Sequence, residues 1–178
     1  MNVSRFVVSA VVLALTVVAS ASAQDRRDVR LADLISRSVL SYSHFTIFDD
    51  INAQVENGVV VLSGKVTMPY KKTDLERRVA KIDGVREVQS TIAVLPVSPF
   101  DEELRYKISR AIYGNPSFWR YASMAHPPIH IIVENGRVTL TGIVNSNVER
   151  MLASSLATGF GEFSVTNALR TDSERQSE

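Results

Sequence analysis

The chain has no cysteine in its 178 residues, so no disulfide framework can staple it and no thiol is present for lipidation at a processing site. Histidine is sparse as well, with His44, His126 and His130 the full set. Pro127 and Pro128 lie between His126 and His130 and keep them off a common helix face, where a zinc pair would sit. Ser43-His44 lacks the glycines of a nucleophile elbow. Gly159-Phe160-Gly161 follows a helical pattern, where a dinucleotide loop should follow a strand. These absences argue against a metal, a cofactor, a small-molecule substrate and catalytic residues alike. Charge of one sign is also lacking. Lys and Arg number 20 against 19 Asp and Glu, and removing residues 1–23, which hold Arg5 and no acid, leaves 19 of each. Such a chain has no global field to attract nucleic acid.

An apolar run of membrane-spanning length is missing too. Phe6 to Val18 is interrupted by Ser9 and Thr16 and falls short of the roughly 20 residues a spanning helix needs. With Arg5 ahead of it and Ala21-Ser22-Ala23 behind, residues 1–23 read as a secretory signal peptide cleaved near Ala23. The expected location is periplasmic, and the alternative is an uncleaved N-terminal anchor.

What is present is a repeat. Asn57-Gly58 recurs as Asn135-Gly136, and the neighbours match without a gap. Ile51, Ala53 and Val55 fall opposite Ile129, Ile131 and Val133, while Val60, Leu62, Gly64 and Val66 fall opposite Val138, Leu140, Gly142 and Val144. Each set alternates, which predicts two strands joined by a tight Asn-Gly hairpin. Leu31, Leu34, Ile35 and Val39, and later Leu104, Ile108, Ala111 and Ile112, keep helical spacing ahead of the strands. A second helix follows, carrying Leu75, Val79 and Ile82 on one side, with Lys71, Lys72, Arg77, Arg78 and Lys81 expected on a solvated outer face. Gly84 ends it and Gly161 holds the matching place. One further strand, about Val85 to Leu95, closes the unit. The fold class is therefore α+β: two tandem α-β-β-α-β modules over 28–96 and 100–170, each a three-stranded sheet with two helices on one face. Residues 171–178 form a polar tail. Gly64 and Gly142 are expected to let a helix approach the sheet closely. Val59, Val61, Ile132 and Ile143 point to the other face, where they are expected to pack module on module or on a partner.

Val55-Glu56-Asn57-Gly58-Val59-Val60-Val61-Leu62-Ser63-Gly64-Lys65-Val66 with Gly84-Val85, and Val133-Glu134-Asn135-Gly136-Arg137-Val138-Thr139-Leu140-Thr141-Gly142-Ile143-Val144, resemble the BON domain family (bacterial OsmY and nodulation) over most of residues 28 to 170. The second copy departs at Gly161-Glu162 and in an insert between Tyr113 and Pro128. The resemblance implies a non-enzymatic domain of exported or envelope proteins, associated with osmotic stress and with binding to phospholipid surfaces. Its motif positions are structural.

The insert concentrates Phe118, Trp119, Arg120 and Tyr121, close to Arg105, Lys107 and Arg110. Aromatic tips among basic residues suit a lipid headgroup boundary, so these are the candidate membrane-contact residues. The competing reading is that the aromatics cap the core of their own module. Expected partners are anionic phospholipid surfaces or envelope proteins. The alternative function is a protein-interaction module using exposed sheet faces or strand edges.

Overall fold

The computed structural model describes residues 24–176; the expected signal peptide, residues 1–23, lies outside them. Module one runs from a helix over 24–40 (α1) through strands β1 (Asp50–Glu56) and β2 (Val59–Val66), helix α2 (Pro69–Ala80) and strands β3 (Glu87–Ser90) and β4 (Ala93–Val94). Module two repeats the order with α3 (Pro99–Tyr113), a 3-10 turn (Pro116–Phe118), α4 (Trp119–Ala122), β5 (Ile129–Glu134), β6 (Arg137–Val144), α5 (Asn147–Leu156), β7 (Ser164–Asn167) and β8 (Arg170–Thr171). A short helix, α6 (Asp172–Gln176), follows where an irregular polar tail was expected. Thr171 is itself buried in the last strand pair.

Each hairpin closes on Asn and Gly that both sit at positive φ: 51° and 77° at Asn57 and Gly58, 52° and 72° at Asn135 and Gly136. The sheets are mixed. β2 pairs antiparallel with β1 and parallel with β3 and β4, and β6 repeats this with β5, β7 and β8. The expected single third strand is thus two short pieces in each module, broken at Thr91-Ile92 and Ala168-Leu169. There Ile92 and Leu169 are buried.

Gly64 and Gly142 serve a different purpose from the one expected. Their φ values are 124° and 111°. A Cβ on Gly64 would sit 2.0 Å from the Asp50 carbonyl oxygen, and one on Gly142 1.8 Å from that of Pro128. The close neighbour is the backbone of the paired strand, not a helix.

Module one buries Leu31, Ile35, Val39, Leu62, Leu75 and Val79 between sheet and helices; module two buries Leu104, Ile108, Ile112, Ile131, Leu140 and Ala153 in the same manner. An aspartate from the first helix secures each turn. Asp28 accepts from the amides of Asn57 (2.8 Å) and Gly58 (3.2 Å), and Asp101 from those of Asn135 (2.8 Å) and Gly136 (2.7 Å). Two turn donors are thereby satisfied by one carboxylate per module.

The modules touch through the segment ahead of β1. The Ile131 amide donates to the Ile47 carbonyl (2.7 Å), His130 Nδ1 donates to that of Asp49 (2.6 Å), and Ile47 and Phe48 pack on the core of module two. Lys65 pairs with Glu134 across the two sheets. Ile132 is buried, while Val59, Val61 and Ile143 are half-buried, so none of the four apolar residues on the far faces lies fully open to water.

Candidate functional site

The insert starts where Gly114 caps α3 and Asn115 accepts the Ser117 amide at 3.0 Å, setting up the 3-10 turn and α4. Phe118 and Tyr121 point inward. They are 0% and 3% exposed and stack at 6.1 Å inside the core of module two, so they are not membrane-contact residues.

A comparison of the two modules shows why. At the junction of β2 and α2, Lys71 is buried against Asp49 (2.6 Å), and Asp49 also accepts from the amide (2.8 Å) and hydroxyl (2.9 Å) of Thr67. Lys71 therefore does not belong to the outer charged face on which it was expected. The matching positions in module two, 78 further on by subtraction, are Asn145 and Glu149, so the charge there is inverted. The insert supplies its complement. Arg120 pairs with Glu149 at 2.8 Å. The Tyr121 hydroxyl donates to Glu149 (2.7 Å) and accepts from Arg120 (2.7 Å) and the Asn145 amide (3.0 Å). Burial and the Glu149 carboxylate raise the Tyr121 pKa, which keeps the phenol protonated as a donor. The Arg120 guanidinium also lies 4.5 Å from the centre of the Tyr121 ring. The half-buried glutamate is met by a cation and a hydroxyl, and the insert delivers both.

Arg105 is internal as well. It is 7% exposed, and its guanidinium donates to the Val133 carbonyl at 2.6 Å. Desolvation lowers its pKa. Lys107 pairs with Glu103 one turn earlier (2.7 Å), and Arg110 remains exposed.

Trp119 alone of the three aromatics faces outward. Its ring is 62% exposed, tethered by Nε1 to the Gly114 carbonyl at 3.3 Å, and Met124 beyond it is also exposed. Val148 (75% exposed) and Met151 (65% exposed) are apolar side chains left open on α5, whose Glu149 pairs with Arg120 of α4. Sequence reasoning missed Val148 and Met151. Their signal was an i, i+3 apolar pair lying off the buried stripe of α5.

His130 and His126 share a small cavity of about 180 Å³ with Leu40, Phe45, Thr46 and Ile47, and no carboxylate is among its lining residues. Burial lowers the His130 pKa, and Nδ1 is committed to the Asp49 carbonyl.

Comparison with known proteins gives one family and a distant structural likeness. The BON domain model matches residues 27–96 and 101–172. No curated protein matches the chain. Two solved structures of CdsD, a structural protein of the type III secretion system of Chlamydia trachomatis, are similar at low level. The first, a C-terminal domain, has 14% identity and a TM-score of 0.29, with 75% of this chain and 62% of that one covered. The second has 15% identity and a TM-score of 0.27, with 80% and 93% covered. Likenesses this weak carry no functional argument. The two matched segments, with the shared turn, aspartate and glycine geometry in each, place the chain in the BON domain family as a tandem pair of its domains.

Proposed function

We propose that this is an exported, non-enzymatic envelope protein that attaches reversibly to phospholipid surfaces through the outer edge of module two. The observation that carries the reading is the exposure of the single tryptophan, Trp119, held by its Nε1 bond to the Gly114 carbonyl, together with the exposed Val148 and Met151 of the same module. An exposed ring already held in place loses little conformational entropy when it enters a headgroup boundary. Inserting part of each side chain is worth about 1–2 kcal/mol per residue by area. The sum supports weak, reversible attachment rather than anchoring. Because Glu149 and Glu103 already neutralise Arg120 and Lys107, the apolar part dominates.

Vesicle flotation with anionic and neutral lipids tests this. Wild-type protein should float with anionic vesicles, and a Trp119→Ser/Met151→Ser variant with an unchanged unfolding midpoint should lose most of that recovery. Raising salt should reduce recovery less than the double substitution does. Absence of recovery with either lipid would end the proposal. Export is tested separately by mapping the N-terminus of the mature protein, which should begin near Gln24.

A further inference from the structure

The two sheet edges differ in a way that points to a second binding surface. In module two four of the outward-facing polar groups on the β5 edge have an internal partner. The Tyr113 hydroxyl accepts from the Ile129 amide (3.1 Å) and donates to the Ile129 carbonyl (2.5 Å), Ile47 takes the Ile131 amide (2.7 Å), and Arg105 takes the Val133 carbonyl (2.6 Å). β1 has the same register against β2 as β5 has against β6: Ala53 faces Leu62 as Ile131 faces Leu140. The outward groups of β1 are therefore those of Ile51, Ala53 and Val55.

Their internal partners are missing. Asp28 and Asp101 bind their turns alike, which aligns α1 with α3 and places Leu40 and Ala32 where module two has Tyr113 and Arg105. Neither side chain can hydrogen-bond. Among the described residues no group outside the β1–β2 ladder donates to or accepts from the backbone of Ile51, Ala53 or Val55. Beside this edge lies a groove of about 260 Å³ whose lining includes Ala32, Ser36, Val39, Ile51 and Ala53. In module two the corresponding space receives Ile47 and Phe48. The groove also reaches His130, so it is continuous with the junction between modules.

We propose that the α1–β1 groove binds an extended segment of a partner polypeptide as an added strand, extending to the backbone of β1 the kind of bond that the Ile47 carbonyl makes to the Ile131 amide on the β5 edge. The partner's backbone carbonyl would accept the Ala53 amide, and a compact apolar side chain would cover Ala32 and Ala53. An alternating row of amides and carbonyls is matched by another backbone, whereas a lipid chain offers it nothing. This goes beyond lipid attachment and uses a different module.

A peptide with the sequence of residues 43–50 is the probe, titrated into the full-length mature protein with amide shifts and hydrogen exchange as readouts. Saturable binding should slow exchange at Ala53 at least tenfold, while the Ile131 amide stays unchanged. An Ala32→Arg/Leu40→Tyr variant, which rebuilds the side-chain partners of module two, should lose binding by tenfold or more. Should that variant fold poorly, Ala53→Pro removes the one donor at an edge position that tolerates proline and should have the same effect. No saturable binding, or equal binding by a folded variant, overturns the proposal. So does concentration-dependent self-association abolished by the same substitutions, which would identify a second copy as the occupant.

Discussion

Asp101 is fully buried and holds two turn amides, one of them, Gly136, in a buried residue. Replacing it with alanine strands both donors, and urea unfolding should show a loss of about 2–4 kcal/mol. Asp28 makes the same two bonds at a half-buried position where water can substitute, so Asp28→Ala should cost about 1 kcal/mol. Gly64→Ala should cost more than about 3 kcal/mol, since it combines a positive φ with a collision against the Asp50 carbonyl. At this scale the sequence was half legible. The Asn-Gly pairs announced their turns because the φ requirement is local, and Gly64 stood out by its repetition. Its physical reason, however, lies across the strand pair, which no local pattern displays. The aspartates were not readable as turn ligands, because the bonds span about thirty residues.

The junction of the second strand with the second helix shows two solutions to one problem. Module one buries a lysine and neutralises it with Asp49, and module two places a half-buried glutamate there and neutralises it from the insert. Lys71→Met should leave Asp49 uncompensated and cost about 3–5 kcal/mol, measurable by thermal or chemical unfolding. Arg120→Met should cost less, because the Tyr121 hydroxyl and solvent still serve the partly exposed Glu149. Helices and strands were legible from their periodicities of 3.6 and 2, as Leu31, Ile35 and Val39 on α1 and Ile129, Ile131 and Val133 on β5 illustrate. The insert was not. Phe118, Trp119 and Tyr121 are all aromatic, and only the inverted charge at position 149, which takes the Tyr121 hydroxyl, explains why Tyr121 turns inward. Arg105 misled for a related reason: a long basic side chain can reach a strand carbonyl inside the fold as readily as a lipid phosphate outside it.

Across the whole molecule, module one lends Ile47 and Phe48 to the core of module two, so the halves are not energetically independent. Ile47→Ala should loosen module two although it lies in the sequence of module one, with faster hydrogen exchange at Ile131 as the reporter. His130 at the same junction gives a pH dependence. Its folded pKa is lowered by burial, so as pH falls through the ordinary imidazole range the unfolded chain takes up a proton that the folded chain resists. Stability should therefore decline from neutral pH toward pH 5, and a His130→Gln variant should show a shallower decline. Duplication itself was plain in the sequence. The contact between copies was not, since it runs through Ile47, Phe48 and His130, which no repeat pattern marks.

The central claim, attachment to phospholipid through the outer edge of module two, is tested most directly by the fluorescence of Trp119. It is the only tryptophan in the chain, so its emission reports on one place. Adding anionic vesicles should shift that emission to shorter wavelength, with protection from an aqueous quencher. Unchanged emission and quenching at saturating lipid would contradict the account.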